Sequence, residues 1–374
     1  MRRNVAAFVS IIVLWAVLTA CTDSKTLEKM GLITTVGYDL SEDGKILTTM
    51  VLLQIDPEAP KNTGFITGES ITSKGARIAA DLKSPKKLQS GQLRVALYGE
   101  EVAEDGIINL ADTLSRDPSI SDLTYLGIVE GSANEILKQE NQQFTDIGQF
   151  IYKELDQNIK GELIPSSTLQ EFTHDFYAAG VDPSLPTLKA ENGMVRITGM
   201  ALMNDDKMVG KISAAESFYL KLINDRYEAG NLELIISKNG FQNIKLNEEK
   251  ELAVVLDTIR SNSKMELQDK ENLTFKLTIN IDSRLLEINQ SIDLKNPKNI
   301  QILEKTISNT IKKNAEDLLA YAKAHDSDVF GFGEVYRSSV YRSGLTKEKW
   351  HEMYKNIRVN VKVNFQIVRT GVVE

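Results

Sequence analysis

The sequence contains few of the residues from which catalytic and metal sites are usually built. Among its 374 residues there is one cysteine, Cys21, and there are three histidines, His174, His325 and His351. No two histidines have the spacing of metal ligands, so a zinc site would need carboxylates almost alone, which is unusual. The sequence also lacks a glycine-rich phosphate loop with its lysine and a Gly-x-Ser-x-Gly nucleophile elbow. We therefore predict that the protein is not an enzyme and holds neither a cofactor nor a metal ion.

An excess of positive charge is also missing. The chain has 44 lysines and arginines against 52 aspartates and glutamates, which gives a net charge of −8. Removal of residues 1–20, which include two arginines and no acid, would bring the net charge to −10. Because nucleic-acid affinity comes mainly from Lys and Arg contacts to phosphates, we exclude nucleic acid as a partner. Such an acidic body is not expected to adsorb to anionic lipid headgroups unless a covalent lipid holds it at the membrane.

The sequence has a single long apolar run, and it lies near the N-terminus. Residues 5–17 are apolar except for Ser10, follow the basic pair Arg2-Arg3, and lead to Leu18-Thr19-Ala20-Cys21. A basic start, an apolar stretch and small residues at the cut are typical of a secretory signal peptide. Residues 5–20 are too few to reach the roughly 20 residues of a bilayer span, which disfavours the alternative of an uncleaved transmembrane anchor.

A cysteine directly after the cleavage site matches a bacterial lipobox. We therefore predict that residues 1–20 are a lipoprotein signal peptide that is removed and that Cys21 is lipidated. Diacylglycerol together with an N-acyl chain would anchor the protein stably, because two or more chains suffice where one is marginal. The mature protein would then be a body on the outer face of a membrane, attached to it by lipid.

The rest of the chain is predicted to be an α+β protein of two or three domains with mixed or antiparallel sheets and packed helices. After a lipid-anchored tether over residues 21–30, strands and helices alternate through residues 31–190, which indicates an N-terminal α/β domain. Pro183 and Pro186 favour a boundary near residue 190. A hairpin and a helix, which begins with the capping-box pair Ser213 and Glu216, follow this boundary.

The last third, residues 261–374, shows the clearest periodicity. Apolar and polar residues alternate strictly over residues 273–281 and 357–367, which predicts strands with one buried and one wetted face. Between them, apolar residues recur at helical spacing from Ile300 to Ala322. We predict an antiparallel C-terminal sheet whose buried face is covered by one long helix.

Several polar residues that could form sites are assigned to the surface or to packing. His174 is predicted to be a surface helix residue, and His325 to lie at the end of the long helix, where a cation complements the helix dipole. The segment from Asp326 to Gly333 offers too few ligands for a dedicated Ca²⁺ loop. It is predicted to be a helix stop and a glycine-permitted turn that buries Phe330 and Phe332. The acid pairs Glu100-Glu101 and Asp205-Asp206 are predicted to be solvated.

An ordered set of segments resembles the Ger(x)C family, the lipoprotein C subunits of nutrient germinant receptors in spore-forming bacteria. No single segment is specific, but together they run through nearly the whole mature chain. They are Cys21 with Asp23-Ser24, Gly75-Ala76-Arg77, residues 87–92, residues 99–107, Arg116-Asp117-Pro118, residues 133–137, Leu185-Pro186, residues 199–202 with Val209-Gly210, residues 327–333, Trp350, and Arg369-Thr370-Gly371.

The resemblance implies a non-enzymatic subunit on the outer surface of the spore inner membrane. Such a subunit assembles with polytopic A and B subunits into a receptor for amino acids, sugars or nucleosides, and the family fold is a three-domain α+β arrangement. Mapped onto this chain, the resemblance implies an N-terminal domain over residues 31–190, a middle domain over residues 191–260 and a C-terminal domain over residues 261–374. The alternative from another class is a solute-binding lipoprotein of a membrane transporter, although the two doubly wound lobes usual in such proteins fit the period-two strands poorly. A lipid-anchored hydrolase ranks third, because the sequence shows no constellation of nucleophile and base.

Overall fold

The computed structural model describes residues 30–53, 63–139, 146–191, 193–242, 244, 246–247 and 251–370. The predicted signal peptide, the predicted lipidation site Cys21 and all of the predicted tether except Met30 lie outside the described residues. The described part of the chain has the predicted α+β class, with two sheets and helices packed on them.

Thirteen strands and ten helices are described. The strands are β1 Met30–Leu40, β2 Ile46–Leu53, β3 Thr63–Ser70, β4 Lys87–Gln89, β5 Val95–Gly99, β6 Tyr125–Val129, β7 Ser184–Glu191, β8 Met194–Asn204, β9 Lys207–Ser213, β10 Gly230–Ile236, β11 Leu252–Asp269, β12 Thr274–Ile288 and β13 Arg358–Thr370. The helices are α1 Ser73–Asp81, α2 Glu100–Asp105, α3 Ile108–Ser115, α4 Ala133–Lys138, α5 Ile147–Lys160, α6 Leu169–Tyr177, α7 Ala214–Asn224, α8 Pro297–Ala324, α9 Phe332–Ser339 and α10 Lys347–Tyr354.

The first sheet has nine strands and is mixed. Its order is β3-β2-β1-β5-β6-β7-β8-β9, and the short β4 pairs with the start of β1. Strands β1, β5, β6 and β7 pair in parallel, whereas the hairpins β1–β2, β2–β3, β7–β8 and β8–β9 are antiparallel. Helical crossovers join the parallel strands, as parallel pairing requires.

The second sheet has four strands in the order β10-β11-β12-β13. Its first two pairs are antiparallel, but β12 and β13 run parallel, with Leu277 opposite Val361. The prediction of an antiparallel C-terminal sheet is therefore wrong for this last pair. The alternation of apolar and polar residues shows which face is buried, but it does not show the direction of the neighbouring strand.

The buried face of the second sheet and its covering helix are as predicted. Phe275, Leu277, Ile279 and Ile281 are at most 2% exposed, and they pack in one core with α8. Helix α8 begins at the N-cap Asn296, followed by a proline at its first position, and His325 is its C-cap. Its apolar stripe is buried because it faces the sheet, which is the expected arrangement for an amphipathic helix.

The two sheets share a hydrophobic core. Met200 and Leu202 of β8 and Ile212 of β9, which belong to the first sheet, pack in the same cluster as Val254 of β11 and Leu277 of β12. Helix α7 contributes to this cluster as well, so apolar burial is continuous between the sheets.

The start of helix α7 is also as predicted. Its capping box is present, since the Ser213 hydroxyl accepts from the Glu216 amide and the Glu216 carboxylate accepts from the Ser213 amide. These two bonds satisfy backbone donors that would otherwise have no partner at the helix N-terminus.

The division into three domains remains a prediction, but neither of its internal boundaries coincides with an interruption of the sheets. Residue 190 lies inside β7, and the hairpin assigned to the middle domain, β8–β9, continues the first sheet. Residue 260 lies inside β11, which pairs on both sides within the second sheet. Proline residues mark a local break in the chain, but hydrogen bonding across the sheet continues past it.

The helices differ from membrane spans in length or in hydropathy. Within residues 30–370, excluding the gaps given above, no helix combines the length and the hydropathy needed to cross a bilayer.

Candidate functional site

Charged and aromatic side chains converge where the loop after α8 meets the first sheet. The loop of residues 325–331 contacts the segment before β7, the turn between β8 and β9, and α10. We call this group of side chains the junction cluster. Its members are Asp182, Asp205, Asp326, Asp328, Lys347, Trp350 and His351.

Asp328 is at the centre of the junction cluster and is fully buried. Its carboxylate accepts hydrogen bonds from the backbone N–H groups of Phe332 at 3.1 Å and Gly333 at 2.9 Å, and from Trp350 Nε1 at 2.8 Å. Gly331, the N-cap of α9, has a positive φ of 74°, a conformation that glycine adopts without strain. This turn directs the first amides of α9 at the carboxylate, so the charge also lies at a helix N-terminus.

Asp182 joins this loop to the first sheet. It is 3% exposed and accepts hydrogen bonds from the backbone N–H groups of Asp328 at 2.7 Å and Asp205 at 2.9 Å. Its own amide donates to the carbonyl of Asp328 at 3.0 Å. The two segments, which are 146 residues apart in the chain, are thus held by reciprocal hydrogen bonds.

Both buried carboxyl groups bind protons more tightly than an exposed aspartate. Burial raises the pKa of Asp328 to about 7, and the nearby charge of Asp182 acts in the same direction. Burial also raises the pKa of Asp182 to about 6, against the attraction of His351, which lowers it. The N–H donors that each carboxylate accepts offset only part of the cost of desolvation. The pair therefore titrates close to neutral pH.

His351 faces three carboxylates. Its Nε2 lies 3.6 Å from Asp182 Oδ1 and 4.0 Å from Asp205 Oδ1, and its Nδ1 lies 3.7 Å from Asp326 Oδ1. These distances are longer than hydrogen bonds. The side chain is 16% exposed, and two lysines balance the acids, since Lys347 donates to Asp205 at 2.7 Å and Lys355 lies 3.2 Å from Asp326.

The chemistry available to this arrangement is ionic and structural. Asp182, Asp205 and His351 have ligand atoms within 4.8 Å of one another, which is close enough to surround a cation. However, Asp182 already accepts two backbone amides, and the Lys347 ammonium lies against Asp205 Oδ1, where it would repel a divalent ion. Nucleophilic catalysis needs a hydroxyl or thiol within hydrogen-bond reach of its base, whereas the ring nitrogens of His351 face carboxylates.

Two glycines allow the segments of the junction to approach each other. A Cβ at Gly180 would lie 2.4 Å from the carbonyl carbon of Gly333, and a Cβ at Gly333 would lie 2.3 Å from Cα of Gly180. The Gly180 carbonyl accepts from the Glu334 amide at 3.1 Å. Neither position has room for a larger residue, so the glycines are required for the close contact between the start of α9 and the segment before β7.

A second concave feature is a cleft of about 600 Å³ at the carboxyl ends of β1, β5 and β6. It is strongly acidic, with Asp39, Glu101 and Glu135 on its walls. Asp39 is already occupied, because its carboxylate accepts from the amides of residues 133 and 134 at the start of α4. Clefts at the ends of parallel strands are common ligand sites in α/β proteins, but none of the buried polar side-chain atoms that lack a hydrogen-bond partner in the described residues lines this one.

Two of the assignments made from the sequence are confirmed. Phe330 and Phe332 are buried, at 7% and 0% exposure, in a turn that contains Gly331. The side chain of His174 is 66% exposed on α6, as predicted for a surface residue.

One assignment needs correction, and a second holds only in part. The prediction that the pair Asp205-Asp206 is solvated is wrong, because the Asp205 carboxylate binds Lys347 and Asp206 accepts from the Ile108 amide at 3.0 Å. In the other acid pair, Glu100 binds Lys211 at 2.6 Å, whereas Glu101 is exposed, as predicted. The paired acids resemble a solvated turn in the sequence because their partners lie roughly 100 or more residues away in the chain.

The sequence gives little indication of the remaining members of the junction cluster. Asp182 belongs to no motif, and His351 has no second histidine at ligand spacing. The one available signal is the family resemblance, which includes residues 327–333 and Trp350.

Comparison with known families shows two matches that together cover most of the chain. Residues 23–190 match the model described as the spore germination protein N-terminal domain. Residues 198–371 match the model described as spore germination B3/GerAC-like, C-terminal. The division between the two models falls within the β7–β8 hairpin.

Individual relatives are similar over their whole length. The chain is 24% identical to spore germination protein GerQC of Bacillus cereus, over 98% of this chain and 99% of that protein. It is 21% identical to spore germination protein KC of Bacillus subtilis, over 95% of this chain and 93% of that protein. The crystal structure of the GerBC protein superposes with a TM-score of 0.54 at 15% identity, over 89% of this chain and 96% of that one, which shows a shared fold.

Proposed function

Because the chain belongs to the GerAC-like family of spore germination proteins, we propose that it is the lipid-anchored C subunit of a nutrient germinant receptor. The observation that carries the proposal is the order of the two family matches, residues 23–190 and then 198–371, over nearly all of the predicted mature chain. Relatives named for spore germination match from end to end, so the likeness is not restricted to a shared module.

We propose that the subunit is held by lipid at Cys21 on the outer face of the spore inner membrane and assembles there with polytopic A and B subunits. The lipobox supports the anchor. The wetted faces of the second sheet and the exposed side of α8 are available for contacts with such partners. The assembled receptor, rather than this subunit alone, would respond to the nutrient.

We propose a role in binding and assembly without catalysis. The junction cluster supports this role because its carboxylates are occupied by backbone amides and lysines. It joins the first sheet to the second through reciprocal hydrogen bonds. A subunit built in this way would transmit a displacement of one sheet to the other as a rigid contact.

Deletion of the gene tests the proposal. Spores that lack the chain, in a strain without paralogues, are followed by optical density in amino acids, sugars and nucleosides. We expect loss of the response to one nutrient class and a normal response to calcium–dipicolinate, which triggers germination without nutrients. Expression of the full chain should restore the response, and expression of a Cys21→Ala variant should not.

Two results would contradict the proposal. Normal germination in every nutrient would show that the chain is not part of a receptor. If impaired uptake of a solute by growing cells accompanied that result, the protein would instead be the solute-binding lipoprotein of a transporter.

A further inference from the structure

The outer face of α1 is unusually apolar for an exposed helix. Ala76 and Ala80 are fully buried under the helix, whereas Ile78 is 63% and Leu82 is 85% exposed. Each of these exposed residues follows a buried alanine by two positions, which places it about 200° around the helix, away from the sheet. Ile71, just before the helix, is 83% exposed. Three large aliphatic side chains are thus directed outward on one short element.

A basic segment follows this helix directly. Lys83 and Lys86 lie between α1 and β4, and Lys87 is the first residue of β4. None of the three forms an ion pair with a carboxylate of the described residues. Lys83 donates to the carbonyl of Thr67 at 3.2 Å, which leaves its charge uncompensated. In a chain with a net charge of −8, a local group of lysines beside exposed aliphatic residues is distinctive.

The chain enters the fold beside these lysines. β4 pairs in parallel with the start of β1, so that Met30 lies opposite Lys87. A Cβ at Gly31 would lie 3.8 Å from Cβ of Lys86. Cys21 is nine residues before Met30. Nine residues of fully extended chain reach at most about 30 Å.

We propose that this surface lies on an anionic phospholipid bilayer. We call it the α1–β4 face, and it consists of Ile71, Ile78, Leu82, Lys83, Lys86 and Lys87. The aliphatic side chains would enter the headgroup boundary, and the lysines would meet the lipid phosphates. The inference rests on the lipid anchor in the proposed function, because the net negative charge of the body opposes adsorption without it. The face therefore orients an already tethered protein.

The strand order gives this orientation a consequence. β3, on which α1 packs, is one edge of the first sheet, and β9, which shares its core with the second sheet, is the other edge. Eight strands separated by about 4.8 Å span roughly 34 Å. A bilayer at the α1–β4 face would thus hold the second sheet away from the lipid, where a protein partner can reach it.

A fluorescent label at position 82 tests the proposal in the full lipidated chain. Cys21 is the single cysteine and its thiol is consumed by lipid, so Leu82→Cys would provide the one free thiol for an environment-sensitive dye. The matched control is Ile235→Cys on β10, where the replaced side chain is 59% exposed. Both labelled proteins are reconstituted into vesicles of phosphatidylglycerol and phosphatidylcholine in equal parts, and co-flotation with the vesicles is measured first.

We expect the emission of the label at position 82 to shift to the blue and to rise more than about twofold, as for a probe at the lipid boundary. The label at position 235 should remain water-like. Vesicles of phosphatidylcholine alone or high salt should weaken the shift, because the lysine contribution is electrostatic and screened. Substitution of Lys83, Lys86 and Lys87 by Glu should weaken it too. The same charge change at Lys298, Lys313 and Lys362 should not.

Each other outcome identifies what is wrong. If the protein floats with the vesicles but the label at position 82 stays water-like, the α1–β4 face does not touch lipid, although the anchor stands. If the emission of that label does not change on lipid vesicles and shifts to the blue only in native membranes, a protein covers the face. The lipid proposal is then overturned. If the chain does not float at all, the anchor in the proposed function fails, and this inference fails with it.

Discussion

The carboxylate of Asp328 accepts three N–H groups and is fully buried. In Asp328→Asn the amide nitrogen would face at least one of those donors, whichever way the amide is turned. We expect this substitution to destabilise the protein by about 2–4 kcal/mol, because a buried donor loses its acceptor. Urea unfolding followed by fluorescence measures this, since Trp350 is the single tryptophan after residue 20.

The matched control is Asp43→Asn, whose side chain is 74% exposed in a turn. This control should change the free energy of unfolding by less than about 0.5 kcal/mol. Equal effects of the two substitutions would mean that the Asp328 carboxylate does not support the junction.

The raised pKa values make stability depend on pH in a defined direction. In the unfolded chain both aspartates titrate near pH 4, whereas in the folded chain the pKa is about 7 for Asp328 and about 6 for Asp182. The folded chain therefore holds more protons between these values, and its stability falls as pH rises from about 4 to about 7. The contribution is fully present below about pH 4 and lost above the folded pKa values.

Urea midpoints measured from about pH 4 to about pH 8 check this dependence. Other groups titrate in the same range, so the comparison is the difference between the wild type and Asp328→Asn. We expect the pH profile of the variant to be flatter between about pH 4 and 7. Parallel profiles would show that Asp328 is ionised throughout.

At the scale of elements, the contact between the segment before β7 and the start of α9 depends on two glycines. In Gly180→Ala the new Cβ would overlap Gly333 and would also be strained by a φ of 112°. Gly131 has a φ of 102°, but no atom lies within 4 Å of the position that a Cβ would take there. Gly131→Ala therefore measures the backbone strain without steric overlap. We expect Gly131→Ala to lower the free energy of unfolding by about 1–2 kcal/mol. Gly180→Ala should lower it clearly more. Thermal unfolding compares them, and equal losses would exclude steric overlap at the junction.

The alternating strand β13 offers a second test at this scale. Val361 is 7% exposed on the covered face of the second sheet, opposite Leu277, whereas its neighbour Lys362 is exposed. We expect Val361→Asp to cost about 3–5 kcal/mol, because it buries an unpaired charge. Lys362→Asp, which places the same residue on the wetted face, should cost less than about 0.5 kcal/mol. An unchanged melting temperature for Val361→Asp would contradict the assignment of the faces.

At the scale of the whole molecule, the proposed attachment by lipid and the folding of the chain depend on different residues. Cys21 lies outside the described residues, and the described cores are built from residues after position 30. We expect Cys21→Ala to move the protein from the detergent phase to the aqueous phase in Triton X-114 partition, because the lipid is lost. Its melting temperature should equal that of the parent. A variant that stays in the detergent phase would show that another feature holds the protein at the membrane.

The shared core also determines how a substitution affects the stability of the two sheets. Met200, Leu202 and Ile212 of the first sheet pack with the residues of the second sheet, and Asp182 binds the loop after α8. We therefore expect a substitution at the junction to affect the stability of both sheets. The family models divide the chain between residues 190 and 198, but this division lies within continuous hydrogen bonding of the first sheet.

The sequence by itself determined many of the elements and the family. The alternation in β12 and β13, the apolar stripe of α8 and the capping box of α7 are local patterns, and each reports one buried face or one helix start. The ordered family segments indicated the overall fold in addition to these local elements. The predicted lipidation of Cys21 follows from a local motif as well, and the detergent partition of Cys21→Ala tests it.

Only the tertiary structure decided which faces and charges meet. The parallel pairing of β12 with β13 depends on the path of the chain through α8, α9 and α10. The junction cluster joins Asp182, Asp328 and His351 across up to about 170 residues. A local pattern records whether a residue is buried, but the partner of a buried charge is set by packing between distant segments. The same packing raises the pKa of the two aspartates, which an isolated sequence motif does not reveal.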